Sequence, residues 1–140
     1  EIEMFPAKNL PPVEHDPAQI QQVLVNLLLN AIQAIKGAGR VEVSLESRDG
    51  FAVVTVRDTG HGIDPGQLPN IFRPFFTTKA PGKGMGLGLF LARAVVENLE
   101  GSLEIVSQPG KGTHVRITIP ADVGVQGKRD DIANPVDSHR

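Results

Sequence analysis

The chain has 140 residues, which suits a single domain with one ordinary core. Hydrophobic residues make up 40% and charged residues 21%, and the net charge of -2 offers no basic field for nucleic acid or anionic lipid. There is no cysteine, which excludes disulfides and thiolate metal sites.

In chain order, Glu1–Phe5 reads as extended and precedes the turn-rich Asn9-Leu10-Pro11-Pro12. Glu1 begins in mid-pattern without a methionine, as expected of a piece of a larger protein. His15 is expected to end a short strand. A long helix is predicted over Pro17–Lys36, with Asp16 as N-cap, Pro17 at the first helical position, and Gly37 and Gly39 as its stop. Its stretch Val23–Ile35 is the longest apolar run, yet it is interrupted by Asn26, Asn30 and Gln33 and is too short to span a bilayer. Arg40–Ser47 alternates, with Val41, Val43 and Leu45 on one face, and Asp49-Gly50 reads as a hairpin turn into a strand over Phe51–Asp58. From Thr59 to Gly84 the chain is rich in Gly, Pro and Thr, with one short helix near Gln67–Phe72; loops of this length are functional lids or disordered. A second helix is predicted over Met85–Glu100 with Gly101 as its stop. Strands Ser102–Gln108 and Thr113–Ile119 flank the turn Pro109-Gly110-Lys111-Gly112. Residues 1–120 therefore read as the domain, and the charged, weakly hydrophobic 121–140 as a disordered tail.

Four features carry chemistry. The first helix contains no charge between Val23 and Ile35 and is apolar nearly all round, which predicts burial. Its exception is a stripe of Gln22, Asn26, Asn30 and Gln33, which faces either a polar network or a cavity that a polar ligand fills. Next, Ala52, Val54 and Val56 share a strand face, and period two puts Asp58 on it, pointing toward the core. Asp58 must then be hydrogen-bonded, either as the cap of a turn or to a ligand, which Gly60 and Gly62 would let approach the backbone. Third, Gly82-Lys83-Gly84-Met85-Gly86-Leu87-Gly88-Leu89 runs into a helix, where exposed N–H groups form an anion site. Neither the dinucleotide fingerprint nor the P-loop pattern fits it. Fourth, Thr113 shares the face of Val115, Ile117 and Ile119, so its hydroxyl also points inward.

Taken together, these motifs resemble the ATP-binding catalytic domain of two-component histidine kinases, within the gyrase, heat-shock chaperone, histidine kinase and mismatch-repair ATPase superfamily. Asn26-Leu-Leu-Leu-Asn30-Ala31 resembles the N box, and Asp58-x-Gly60-x-Gly62-Ile63 the first glycine box. Phe72-Arg-Pro-Phe75-Phe76-Thr-Thr-Lys79 resembles the F box, with wording similar to nitrogen-regulation-type sensor kinases. Gly84-x-Gly86-Leu87-Gly88-Leu89 resembles the second glycine box, and Gly110-x-Gly112-Thr113 the last. The resemblance implies an α/β (α+β) two-layer sandwich, a mixed sheet covered on one face by helices, with a long ATP lid between Gly66 and Lys83. It implies ATP and Mg²⁺ as cofactors, with Asp58 accepting the adenine amino group, Thr113 supporting it, Asn30 ligating Mg²⁺ and Asn26 close to the phosphates. The implied nucleotide site further takes in Gly60, Gly62, Ile63, Gly84, Met85, Gly86, Leu87, Gly88 and Leu89. Lys79 and Lys83 are candidates for the γ-phosphate, or else solvated lid charges. Phe72, Phe75 and Phe76 are expected to anchor the lid to the core. Met85 departs from the hydroxyl residue often found there, and Gln33-Ala34 from the Lys-Tyr pair of some relatives.

Relatives that hydrolyse ATP or phosphorylate serine carry a glutamate base four residues before the magnesium asparagine. Asn26 occupies that place and cannot take a proton, which favours a histidine as phosphoryl acceptor. His15-Asp16-Pro17 breaks the acceptor pattern, so the acceptor is expected elsewhere, on a dimerisation and phosphotransfer domain of the same parent, with a response-regulator receiver downstream. His61 would only line the nucleotide loop, and His114 lies on the outer strand face. No nucleic-acid partner or direct membrane contact is expected, and the domain is expected to be cytoplasmic even if its parent is membrane-anchored. The alternatives are a gyrase- or chaperone-type ATPase and a non-catalytic nucleotide sensor.

Overall fold

A computed structural model of the protein describes residues 1–6, 15–77 and 86–121. The elements run β1 (Ile2–Phe5), α1 (Pro17–Ala34), β2 (Val41–Arg48), β3 (Phe51–Asp58), a 3₁₀ turn (Leu68–Asn70), α2 (Gly88–Asn98), β4 (Ser102–Gln108) and β5 (Gly112–Pro120). The strands form one sheet in the order β1-β2-β3-β5-β4. Only β1 and β2 are parallel, as the α1 crossover between them requires; the other pairs are antiparallel. The sheet is thus mixed, as expected.

Both helices lie on one face. Val23, Leu27 and Ala31 of α1 and Ala92 and Val96 of α2 join Val41, Val56, Val115, Ile117 and Ile119 of the strands in one core cluster. The opposite face carries polar rows such as Glu42, Arg57 and His114, paired across strands. His114 stands on that outer face beside Arg57. No helix among the described residues is long and apolar enough to cross a membrane.

Local chemistry sets most boundaries. The Asp16 carboxylate accepts the Ala18 N–H at 3.0 Å and Pro17 opens α1, so the predicted start holds. His15 itself forms a bend before this cap, and the strand it is expected to end falls on residues 7–14, outside the described residues. The predicted helix end at Lys36 is two residues too long, because Ile35 is already extended (φ -94°, ψ 120°). A tertiary contact replaces the next helical hydrogen bond: the Ala34 carbonyl accepts the His61 N–H at 3.0 Å. At the Asp49-Gly50 turn both residues have positive φ (51° and 83°), the mirror-image turn a tight hairpin favours.

Two further expectations change. Gly101 follows α2, but the left-handed residue is Glu100 (φ 60°). The Gly101 N–H bonds to the Val96 carbonyl and the Glu100 N–H to that of Glu97, the paired bonds of a Schellman end. Gly101 is small for another reason, since a Cβ there would stand 2.4 Å from the Thr118 carbonyl oxygen. Nor is α1 buried all round: Val25, Leu29 and Ile32 are 41%, 49% and 46% exposed. A two-layer fold covers a helix on one side only, and these three lie opposite Val23, Leu27 and Ala31.

Candidate nucleotide site

One cross-strand row organises the first half of the site. Val41 pairs with Asp58, Asp58 with Thr113, and Thr113 with Ser107, so four strands contribute side chains to one line on the helix-covered face. Asp58 is 6% exposed and is the one buried charged or polar side chain recorded among the described residues. The Gly60 N–H donates to its Oδ1 at 2.8 Å. Burial raises the Asp58 carboxyl above its ordinary value of 3.8; the backbone amides of Gly60 and Thr113, and more weakly His61 and His114, pull it back. The result is a desolvated acceptor suited to an N–H donor.

The loop after Asp58 is tied down on two sides. Gly60 packs on the C-terminal end of α1, where a Cβ would lie 2.6 Å from the Ala34 carbonyl oxygen. Gly62 (φ 74°) packs on the end of β4, where a Cβ would meet the Gln108 carbonyl oxygen at 2.1 Å. Protein backbone therefore lies where a side chain would stand at these two positions, which holds both to glycine. The exposed His61 gives its carbonyl to the Gly110 N–H at 2.8 Å. The Ile63 N–H donates to Ser107 Oγ at 2.8 Å, and Ser107 Oγ lies 2.8 Å from Thr113 Oγ1. Ser107 was missed from sequence, although the turn spacing already places it opposite Thr113 on the inner face.

The second half lies between the helices. Asn26 Nδ2 donates to the Gly88 carbonyl at 3.4 Å, and Gln22 Nε2 donates to Asn26 Oδ1 at 3.2 Å. A Cβ on Gly88 would meet Asn30 Nδ2 at 3.9 Å and Asn26 at 4.0 Å, ordinary contact distances, so the α2 N-terminus stands directly over both asparagines. The amide stripe is thus partly exposed rather than buried; Asn26 and Asn30 are half-buried, and Gln22 and Gln33 exposed. It forms both a local network and a polar wall. Helix α2 starts later than predicted, at Gly88 with Leu87 as its cap residue, while Leu89 packs against the core. Before it, Gly86 (φ 73°) is pressed onto the Phe75-Phe76 backbone, and the Phe75 N–H donates to its carbonyl at 3.0 Å. Lys79, Lys83, Gly84 and Met85 lie outside the described residues.

Of the three phenylalanines expected to anchor the lid, Phe72 meets the Arg93 guanidinium of α2, 4.9 Å from its ring centre, and Phe76 is half-buried. Phe75 is 70% exposed and holds by its backbone instead, while Ile71 just before Phe72 is buried. Along α1, Asn26 and Asn30 sit beside Gly88, while Ala34 touches the Gly60 loop. At 1.5 Å per residue these contacts span about 12 Å, so α1 links the Asp58 end to the α2 end. No group of three or more His, Cys, Asp or Glu side chains suited to a metal occurs among the described residues. A cation here would rely on an amide oxygen, phosphates and water, a donor set that fits Mg²⁺. A shallow depression lined by Arg48, Phe51 and Arg116 lies on the other sheet face and shares no residue with this site.

The family model described as "Histidine kinase-, DNA gyrase B-, and HSP90-like ATPase" matches residues 15–123. The chain belongs to this family. It is 41% identical over 114 residues to the sensor histidine kinase ZraS of Escherichia coli, covering 81% of this chain and 24% of that protein. It is 32% identical over 124 residues to sporulation kinase E of Bacillus subtilis, covering 88% of this chain and 16% of that protein. The chain thus spans a quarter or less of these two relatives. Among solved structures it resembles the catalytic domain of histidine kinase ThkA, with TM-score 0.75 and 31% identity over 86% of this chain and 78% of that one. The protein is a histidine-kinase-type ATP-binding domain with the open α/β sandwich of such catalytic domains.

Proposed function

We propose that this domain binds Mg-ATP and transfers the γ-phosphate to a histidine on a separate dimerisation and phosphoacceptor domain of its parent, which then phosphorylates a response-regulator receiver in the cytoplasm. Residues 1–120 form the working unit. Asp58 accepts the adenine amino group with Thr113 beside it, on the loop of Gly60, Gly62 and Ile63. Gly84 to Leu89 bring backbone amides to the phosphates, where the N-terminus of α2 favours anions. Asn30 holds Mg²⁺, Asn26 lies beside the phosphates, and Lys79 or Lys83 of the lid is the candidate for the γ-phosphate. The metal, when bound, neutralises charge on the β- and γ-phosphates.

The observation that carries the reading is the position of Asn26. It faces the Gly88 carbonyl at the head of α2, on a helix with no charged residue from Pro17 to Ala34. An amide there cannot deprotonate water or a serine, whereas a neutral imidazole brings its own lone pair. Transfer then depends on positioning and electrostatics. Incubation with γ-labelled ATP and the parent's dimerisation domain tests it. The label should reach that domain and be acid-labile and base-stable; a base-labile or serine-linked label would overturn the assignment.

A further inference from the structure

Ser107 takes no part in the reading above, yet its hydroxyl is shared among three groups. Its Oγ lies 2.8 Å from the Ile63 N–H nitrogen, 3.0 Å from the Gly112 carbonyl oxygen and 2.8 Å from Thr113 Oγ1. A hydroxyl has one proton and two acceptor lone pairs. The Ile63 amide only donates and the Gly112 carbonyl only accepts. Ser107 therefore gives its proton to Gly112, and its lone pairs receive Ile63 and Thr113. That fixes the Thr113 proton on Ser107, leaving Thr113 with lone pairs alone for the site. Thr113 is the direct cross-strand partner of Asp58, itself an acceptor.

We propose that Ser107 is a positioning residue that makes Thr113 a pure acceptor, so that Asp58 and Thr113 together select a purine bearing an exocyclic amino donor and reject one bearing a keto oxygen. This rests on the assignment of Asp58 and Thr113 to the base. A keto oxygen in direct contact would meet acceptors where it needs a donor, and rejection of that kind separates ligands of equal size. Without the Ser107 hydroxyl the Thr113 proton is released, and Thr113 turns to donate to either base.

The test is calorimetric binding of ADP and inosine diphosphate to the full 140-residue chain and its variants. The wild type should prefer ADP, and Ser107→Ala should shrink the preference about threefold to tenfold, the loss of one hydrogen bond's discrimination. Ser107→Thr keeps the hydroxyl and should keep the preference. In a Thr113→Ala background, Ser107→Ala should leave the remaining preference unchanged. A merely structural Ser107 would lower the melting temperature and weaken both nucleotides alike, with the ratio constant; that result overturns the proposal, as does a loss independent of Thr113. If Asp58→Ala abolishes the preference while Ser107→Ala does not, the base site stands and Ser107 falls. A wild type without preference overturns both. Should Ser107→Ala fail to fold, Ser107→Cys reads the same ratio, because a thiol is a weak donor and acceptor.

Discussion

At Asp58 the loss of water and the gain of the Gly60 amide pull in opposite directions, and burial wins, leaving the carboxyl above its ordinary value of 3.8. The folded state therefore holds this proton more tightly than the unfolded chain does. Between the ordinary value and the raised one, the free domain loses stability as pH rises, and above the raised value the deficit is constant. Nucleotide binding has the opposite slope, because only the charged form accepts without also carrying a proton. ADP affinity should fall on acidification with a midpoint above 3.8, a displacement that Asp58→Ala removes; titration of affinity against pH measures it. At neutral pH Asp58→Ala should weaken ADP about tenfold to a hundredfold, the loss of a hydrogen bond to a charged group. Asn30→Ala should instead lose the Mg²⁺-dependent part of ATP affinity and keep metal-free ADP binding, and calorimetry with and without Mg²⁺ reads the difference. Asp58 was legible because period two along β3 carries straight to it. Ser107 was not, because a lone serine on an alternating strand has no pattern of its own until the Ile63 loop and the β5 turn are brought against it.

The elements were legible where their determinants are local. Asp16-Pro17 starts α1 and Asp49-Gly50 turns β2 into β3, each through its own backbone preferences. The end of α1 was not legible, since the group that stops it is the His61 amide, 27 residues after Ala34. Gly60 and Gly62 are held to glycine by helix and strand backbones that press on them, a long-range constraint the local sequence does not show. Gly62→Ala combines a positive φ with a Cβ 2.1 Å from the Gln108 carbonyl oxygen, and should destabilise by about 2 kcal/mol or more in urea unfolding. The two sides of α1 should respond differently to the same measurement. Leu27→Ala empties a core position and should cost about 2–5 kcal/mol, whereas Leu29→Gln on the exposed side should stay within about 0.5 kcal/mol.

For the molecule as a whole, composition excluded thiolate chemistry and a basic field, but the mixed sheet came from the resemblance of five motifs in order. Strand alternation alone does not say that β1 runs parallel to β2 or that β5 lies between β3 and β4. Those pairings are long-range, and single-strand patterns are silent about them. If residues 1–120 are the working unit, deleting 123–140 should leave the melting temperature and ATP affinity nearly unchanged; a large fall in either would assign part of the tail to the domain. On the proposed function the site positions a γ-phosphate without supplying a base for water, and Asn26 marks this division of labour. Cutting the domain from its parent removes the high local concentration of the acceptor, so transfer in trans will be slow, yet it should outrun hydrolysis. The direct measurement follows γ-labelled ATP with the isolated domain, alone and with its parent's dimerisation domain, partitioning label between inorganic phosphate and phosphohistidine. Little free phosphate should form in either case, and label should appear on the acceptor histidine when it is present. Fast release of inorganic phosphate by the isolated domain, with none reaching the histidine, would contradict the proposed function.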